Sequence, residues 1–193
     1  MTEIREINGK LRLGLLHLPD YAAFTGLSAK RDIEKKGTAY LLEKLFNKAC
    51  ELDYSAEGKP FIRNCDCHIS ISHSHDKLAI LCNNETPTGV DIELIRDKVV
   101  KIKDKFLSAP ELKAADDNVE KLIIYWAAKE ALYKLYGLKE VEFAKHLYIQ
   151  PFDLNSSGRI TGEMNLERFQ KKFSLHYEKL EDYMLVYILE ELG

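Results

Sequence analysis

Apolar and polar positions alternate along Lys10–Leu18 with the two-residue period of a strand. From Ser28 the spacing changes to that of a helix running to about Cys50. Its apolar stripe is Ile33, Leu41, Leu42, Leu45, Phe46 and Ala49. Past a turn at Glu57-Gly58-Lys59-Pro60, three strand-like segments follow at His68–Ser72, Lys77–Cys82 and Thr88–Leu94. A second round of elements comes next. A helical region covers Val99–Leu107, and Ser108-Ala109-Pro110-Glu111 reads as a capped helix start with proline in the first turn. Asp117-x-x-Glu120 opens the strongest helix, which stops at Gly137. Strands are expected near His146–Ile149, Arg159–Met164, Phe173–Leu180 and Tyr183–Glu190. The order predicts an α+β protein in two halves, 1–87 and 88–193, each with a strand, a long helix and a sheet. No residue-level repeat accompanies that similarity of order.

Composition narrows the function classes. The 193 residues are 46% hydrophobic and 31% charged, as in an ordinary globular protein. A net charge of −3 argues against nucleic acid as a partner, so any anionic ligand must meet local lysine and arginine clusters. No run approaches the roughly 20 apolar residues of a membrane span, and the N-terminal residues lack a signal-peptide core. Cys50, Cys65, Cys67 and Cys82 form neither a CxxC pair nor a disulfide framework, which suits free thiols in the cytoplasm. The Cys65-x-Cys67-His68 cluster lacks an obvious second ligand pair for zinc.

Three segments carry candidate chemistry. In Thr88-Gly89-Val90-Asp91-Ile92-Glu93-Leu94, strand alternation puts Asp91 and Glu93 on one face. Such a pair is either a metal-ready couple or an exposed sheet face in water. In the helix from Asp117, Glu130 and Lys134 stand at i and i+4, which by itself describes a routine surface ion pair. The segment around them is apolar nearly all round, so these charges should face a partner or a cleft. His68-Ile-Ser-Ile-Ser72-His73-Ser-His75 ends a strand in hydroxyls and imidazoles. These groups suit phosphate oxygens, or else cap a turn.

In order, Gly58-Lys59-Pro60, Ser70-Ile71-Ser72-His73-Ser74, Gly89-Val90-Asp91-Ile92-Glu93 and Trp126-x-x-Lys129-Glu130-Ala131-x-x-Lys134 resemble the 4′-phosphopantetheinyl transferases of the surfactin-synthetase-activator type. The resemblance implies two similar α/β halves about a pseudo-twofold axis, with coenzyme A in the cleft between them. It implies Mg2+, or Mn2+ in its place, on Asp91, Glu93 and Glu130. Transfer of the phosphopantetheine arm to a serine of an apo acyl or peptidyl carrier protein would then release 3′,5′-ADP. Glu130, Lys134 and His73 are the implied catalytic groups, with Glu130 as the base. Lys59, Pro60, Ser72, His73, Lys129 and Lys134 are the implied coenzyme A contacts. Relatives carry a phosphate contact just before the Leu-Leu pair of the first long helix. Here that stretch reads Gly37-Thr38-Ala39-Tyr40, so Lys30 and Arg31 are the expected substitutes. An acidic carrier would dock on Lys101, Ile102 and Lys105, whose bland alternative is an amphipathic segment covering the core. Both halves in one chain suggest a monomer. The alternatives are another three-carboxylate magnesium phosphoryl enzyme, or a non-catalytic relative that binds coenzyme A or carrier protein.

Overall fold

The computed structural model describes residues 2–193 and divides the chain into two compact units, Met1–Thr88 and Gly89–Gly193. In the first, a six-stranded antiparallel sheet runs in the order β1-β2-β6-β5-β4-β3. These strands are β1 (Thr2–Asn8), β2 (Leu11–His17), β3 (Leu52–Tyr54), β4 (Pro60–Ile62), β5 (His68–Ser74) and β6 (Lys77–Asn83). A short helix α1 (Leu18–Thr25) and the long α2 (Lys30–Phe46) complete the unit. Helix α2 sinks Leu41, Leu42 and Leu45 into a core shared with Leu16, Ile69, Leu78 and Ile80. At Gly14 of β2 a side chain would meet Leu41 and Leu45 at 3.0 Å, so glycine lets helix and sheet close up there.

The second unit is a five-stranded antiparallel sheet, β7-β11-β10-β9-β8, with the helix α4 laid across it. Its strands are β7 (Val90–Leu94), β8 (Leu147–Ile149), β9 (Ser157–Leu166), β10 (Phe169–Leu180) and β11 (Tyr183–Leu192). Its helices are α3 (Ala109–Ala115), α4 (Val119–Tyr136) and α5 (Phe143–His146). The architecture is α+β, as the element order predicts.

Several boundaries differ from the sequence expectation. Ala29, not Ser28, is the N-cap of α2, and it offers no side-chain cap. Residues Val99–Leu107 are not an α-helix but two 3-10 turns, Asp97–Lys101 and Lys103–Lys105, joined through Ile102. Lys98, Lys101, Lys103 and Lys105 break the apolar positions into short stretches. The capping box at Ser108 and Glu111 forms as expected, and Gly137 closes α4 at φ +71°. Asn118 rather than Asp117 caps the start of α4, accepting from the Lys121 N–H at 3.0 Å. Among the described residues no helix is long and apolar enough to cross a membrane. All four cysteines are free thiols.

Candidate active site

Strand β7 and helix α4 approach unusually closely. A Cβ on Gly89 would lie 1.9 Å from the Ala131 carbonyl oxygen, so only glycine permits the contact. The Gly89 carbonyl meanwhile accepts from the Ile188 N–H of β11 at 3.0 Å. Backbone pressed on backbone sets the distance between the carboxylates of β7 and that of α4.

On α4, Trp126, Glu130, Tyr133 and Lys134 form a half-buried stripe at helical spacing. The positions between them (Ala127, Ala128, Ala131, Leu132) are fully buried. Lys134 Nζ donates to Asp91 Oδ1 at 2.7 Å and to the Val90 carbonyl at 3.1 Å. The Trp126 indole N–H donates to Glu93 Oε1 at 3.0 Å. Burial pushes the Glu130 carboxyl up to about 7, with the negative charges of Asp91 and Glu93 adding and Lys134 opposing. Asp91, Glu93 and Lys134 thus all act on the charge of Glu130.

The donor set fits a hard divalent cation: three carboxylates carried by one strand and one helix. Among the described residues no three His, Cys, Asp or Glu side chains already stand in metal-holding geometry. The hydrogen bonds engage one oxygen of each β7 carboxylate: Lys134 is on Asp91 Oδ1 and the Trp126 indole on Glu93 Oε1.

Lys129 behaves differently from its motif neighbours. Its side chain and that of Glu111 are both fully buried and pair at 2.8 Å. Lys129 Nζ also donates to the carbonyls of Phe106 at 2.8 Å and Phe143 at 3.2 Å. Glu111 in turn accepts from Ser108 N–H, Ser108 hydroxyl and Ile149 N–H at 2.8, 2.7 and 2.8 Å. Every donor and acceptor of the pair is used inside the fold. The expected phosphate contact at Lys129 is therefore corrected to a structural ion pair, with no surface to offer a ligand.

Beside Glu130 a groove of about 850 Å³ opens, lined by Ile102, Phe106, Trp126, Tyr133, Val141 and Phe143 together with the charged Lys105, Glu140, Glu142 and Lys145. Two expected docking residues, Ile102 and Lys105, line it, while Lys101 is exposed on the preceding turn. Lys103 is spent on an ion pair with Asp117.

The remaining expected ligand contacts lie in the first unit. Gly58, at φ +92°, shapes a tight turn in which Lys59 N–H bonds Ser55 Oγ at 3.2 Å, and Pro60 starts β4. Burial holds the Lys59 ammonium below the usual lysine range. On β5, Ser72 is buried and His73 exposed. His73 Nδ1 lies 3.8 Å from Glu34 Oε1, which Lys30 approaches to 3.7 Å. Arg31 is exposed at the start of α2. Lys30 and His73 thus share one carboxylate. Sequence reasoning assigned no role of their own to Trp126 or Gly89, although both sit inside the quoted motifs, and read Glu111 only as part of a helix cap.

Three carboxylates gathered on an α+β fold suit a hard divalent cation, and comparison with known proteins gives the family. Residues 87–188 match the family model described as the 4′-phosphopantetheinyl transferase superfamily. The chain belongs to that superfamily. It is also similar, at 34% identity over 85 residues, to the 4′-phosphopantetheinyl transferase gsp of Aneurinibacillus migulanus. That match covers 42% of this chain and 35% of the relative, so the chain spans about a third of the relative's length.

Proposed function

We propose that this protein moves the 4′-phosphopantetheine arm of coenzyme A onto a serine of an apo acyl or peptidyl carrier protein, with Mg2+ on Asp91, Glu93 and Glu130. The observation that carries the reading is the carboxylate cluster itself, set by the Gly89–Ala131 contact and bordering a groove fit for a partner. When bound, the cation neutralises the diphosphate of coenzyme A and stabilises the departing nucleotide. The serine oxygen attacks the β-phosphorus, the bond from that phosphorus to the bridging oxygen breaks, and 3′,5′-ADP departs. Glu130 accepts the serine proton. Its seat on a rigid helix beside the other two carboxylates supports that role. Lys134 supplies positive charge to the diphosphate, and no covalent enzyme intermediate is needed.

Lys59, Pro60, Ser72, His73, Lys30 and Arg31 are the proposed contacts for the rest of coenzyme A. Of these, the two residues facing Glu34 need protonated or mobile side chains to serve a phosphate. The carrier docks on Lys101, Ile102 and Lys105. All three proposed metal ligands come from one unit of one chain, which favours action as a monomer. Four free thiols favour the cytoplasm.

The test is intact-mass analysis of an apo carrier protein incubated with the protein, coenzyme A and Mg2+. A gain of ~340 Da, one phosphopantetheine group, is expected, and Asp91→Asn or EDTA should abolish it. No gain with several unrelated carriers, despite binding of coenzyme A, would sink the transferase reading.

A further inference from the structure

We propose that Trp126 is a positioning residue for Glu93, an inference that rests on the metal assignment above. The indole N–H donates to Glu93 Oε1 at 3.0 Å, across the interface between α4 and β7. An indole is a donor only and does not titrate in the working pH range. It orients the carboxylate without neutralising it, which an ammonium in the same place would do.

The ring is itself held firmly. It packs edge-on against Phe106, with centroids 5.1 Å apart at 73°, and against Phe143 at 5.7 Å and 34°. The carbonyls of those two phenylalanines are the two that Lys129 binds, and Lys129 is locked to Glu111. Glu111 ties the assembly to the start of α3 through Ser108 and to β8 through Ile149. An uninterrupted chain of contacts therefore runs from a buried ion pair, through two aromatic rings, to one oxygen of a proposed metal ligand. Hydrogen-bond partners that orient metal ligands commonly contribute ~10–100-fold to metal affinity.

The variant Trp126→Phe keeps an aromatic ring and removes the donor. Mn2+ affinity of the purified protein, without coenzyme A or carrier, is measured by electron paramagnetic resonance. A weakening of ~10-fold with a near-native thermal midpoint is expected. Affinity equal to that of the native protein overturns the positioning role while leaving the metal site standing. If the native protein itself binds no Mn2+, the metal assignment fails, and this inference with it. Should the variant misfold, the native protein decides. The single indole 15N–1H resonance of this one-tryptophan chain should move when Mg2+ is added and should sit elsewhere in Glu93→Gln. A resonance indifferent to both changes also overturns the proposal.

Discussion

Glu130 illustrates how one side chain can link stability to function. Its carboxyl is raised from 4.5 to about 7 in the folded protein, chiefly by burial and next by the charge of Asp91. Between those two values the folded chain holds a proton that the unfolded chain releases. Stability without metal therefore falls as pH rises through that window and levels off above it. Urea denaturation of the metal-free protein at pH 5 and pH 7.5 should show the loss. Glu130→Gln should flatten the dependence, and at pH 7.5 should be the more stable form by on the order of 1–2 kcal/mol. Lys129 makes the opposite case. Lys129→Met strands the Glu111 carboxylate and should cost about 3–5 kcal/mol in denaturant titration. The sequence shows Lys129 and Glu130 as equal members of a motif, and their fates differ because the helix turns them to different surroundings. The partner that claims Lys129 lies 18 residues away in a separate helix. Linear spacing carries no sign of that pairing, whereas Asp91 and Glu93 were legible because a strand must put alternate residues on one side.

At the scale of elements, the site depends on how tightly β7 lies against α4. Gly89→Ala would drive a methyl into the Ala131 carbonyl, and backbone cannot step aside as a side chain can. We expect a loss of about 1–3 kcal/mol together with a large fall in transfer activity. Gly14→Ala meets side-chain atoms of Leu41 and Leu45 at 3.0–3.1 Å rather than backbone, so it should disturb thermal stability less and leave transfer nearly intact. Thermal midpoints and initial rates of both variants separate the two cases. Long elements were readable from periodicity alone: α2, α4 and the β9–β10–β11 meander. Short ones were not. Strands β3 and β4 have three residues each, too few for a period to show. Helix α1 carries no side-chain cap, and β1 alternates mainly among exposed positions. Val99–Leu107 was read as a helix because its apolar spacing fits one, yet the chain there forms two short 3-10 turns.

For the molecule as a whole, charge is the governing consideration. A chain of net charge −3 would repel an acidic carrier at long range, so the proposed docking rests on local lysines such as Lys101 and Lys105. The double variant Lys101→Glu, Lys105→Glu should raise KM for an acidic carrier by ~10-fold at low salt, with kcat little changed. In roughly 1 M salt, where screening acts over ~3 Å, the difference should shrink. A variant effect independent of salt would mean that these lysines contribute shape rather than charge. The sealed ion pair has a consequence for reactivity as well. An amine with no exposed surface, bonded on every side, is out of reach of acylating reagents while its unit stays closed. Pulse labelling of lysines should modify the exposed Lys30 within seconds but spare Lys129 until the whole unit opens. The slow appearance of label at Lys129 would then time the opening of that unit, read directly as mass on a single peptide.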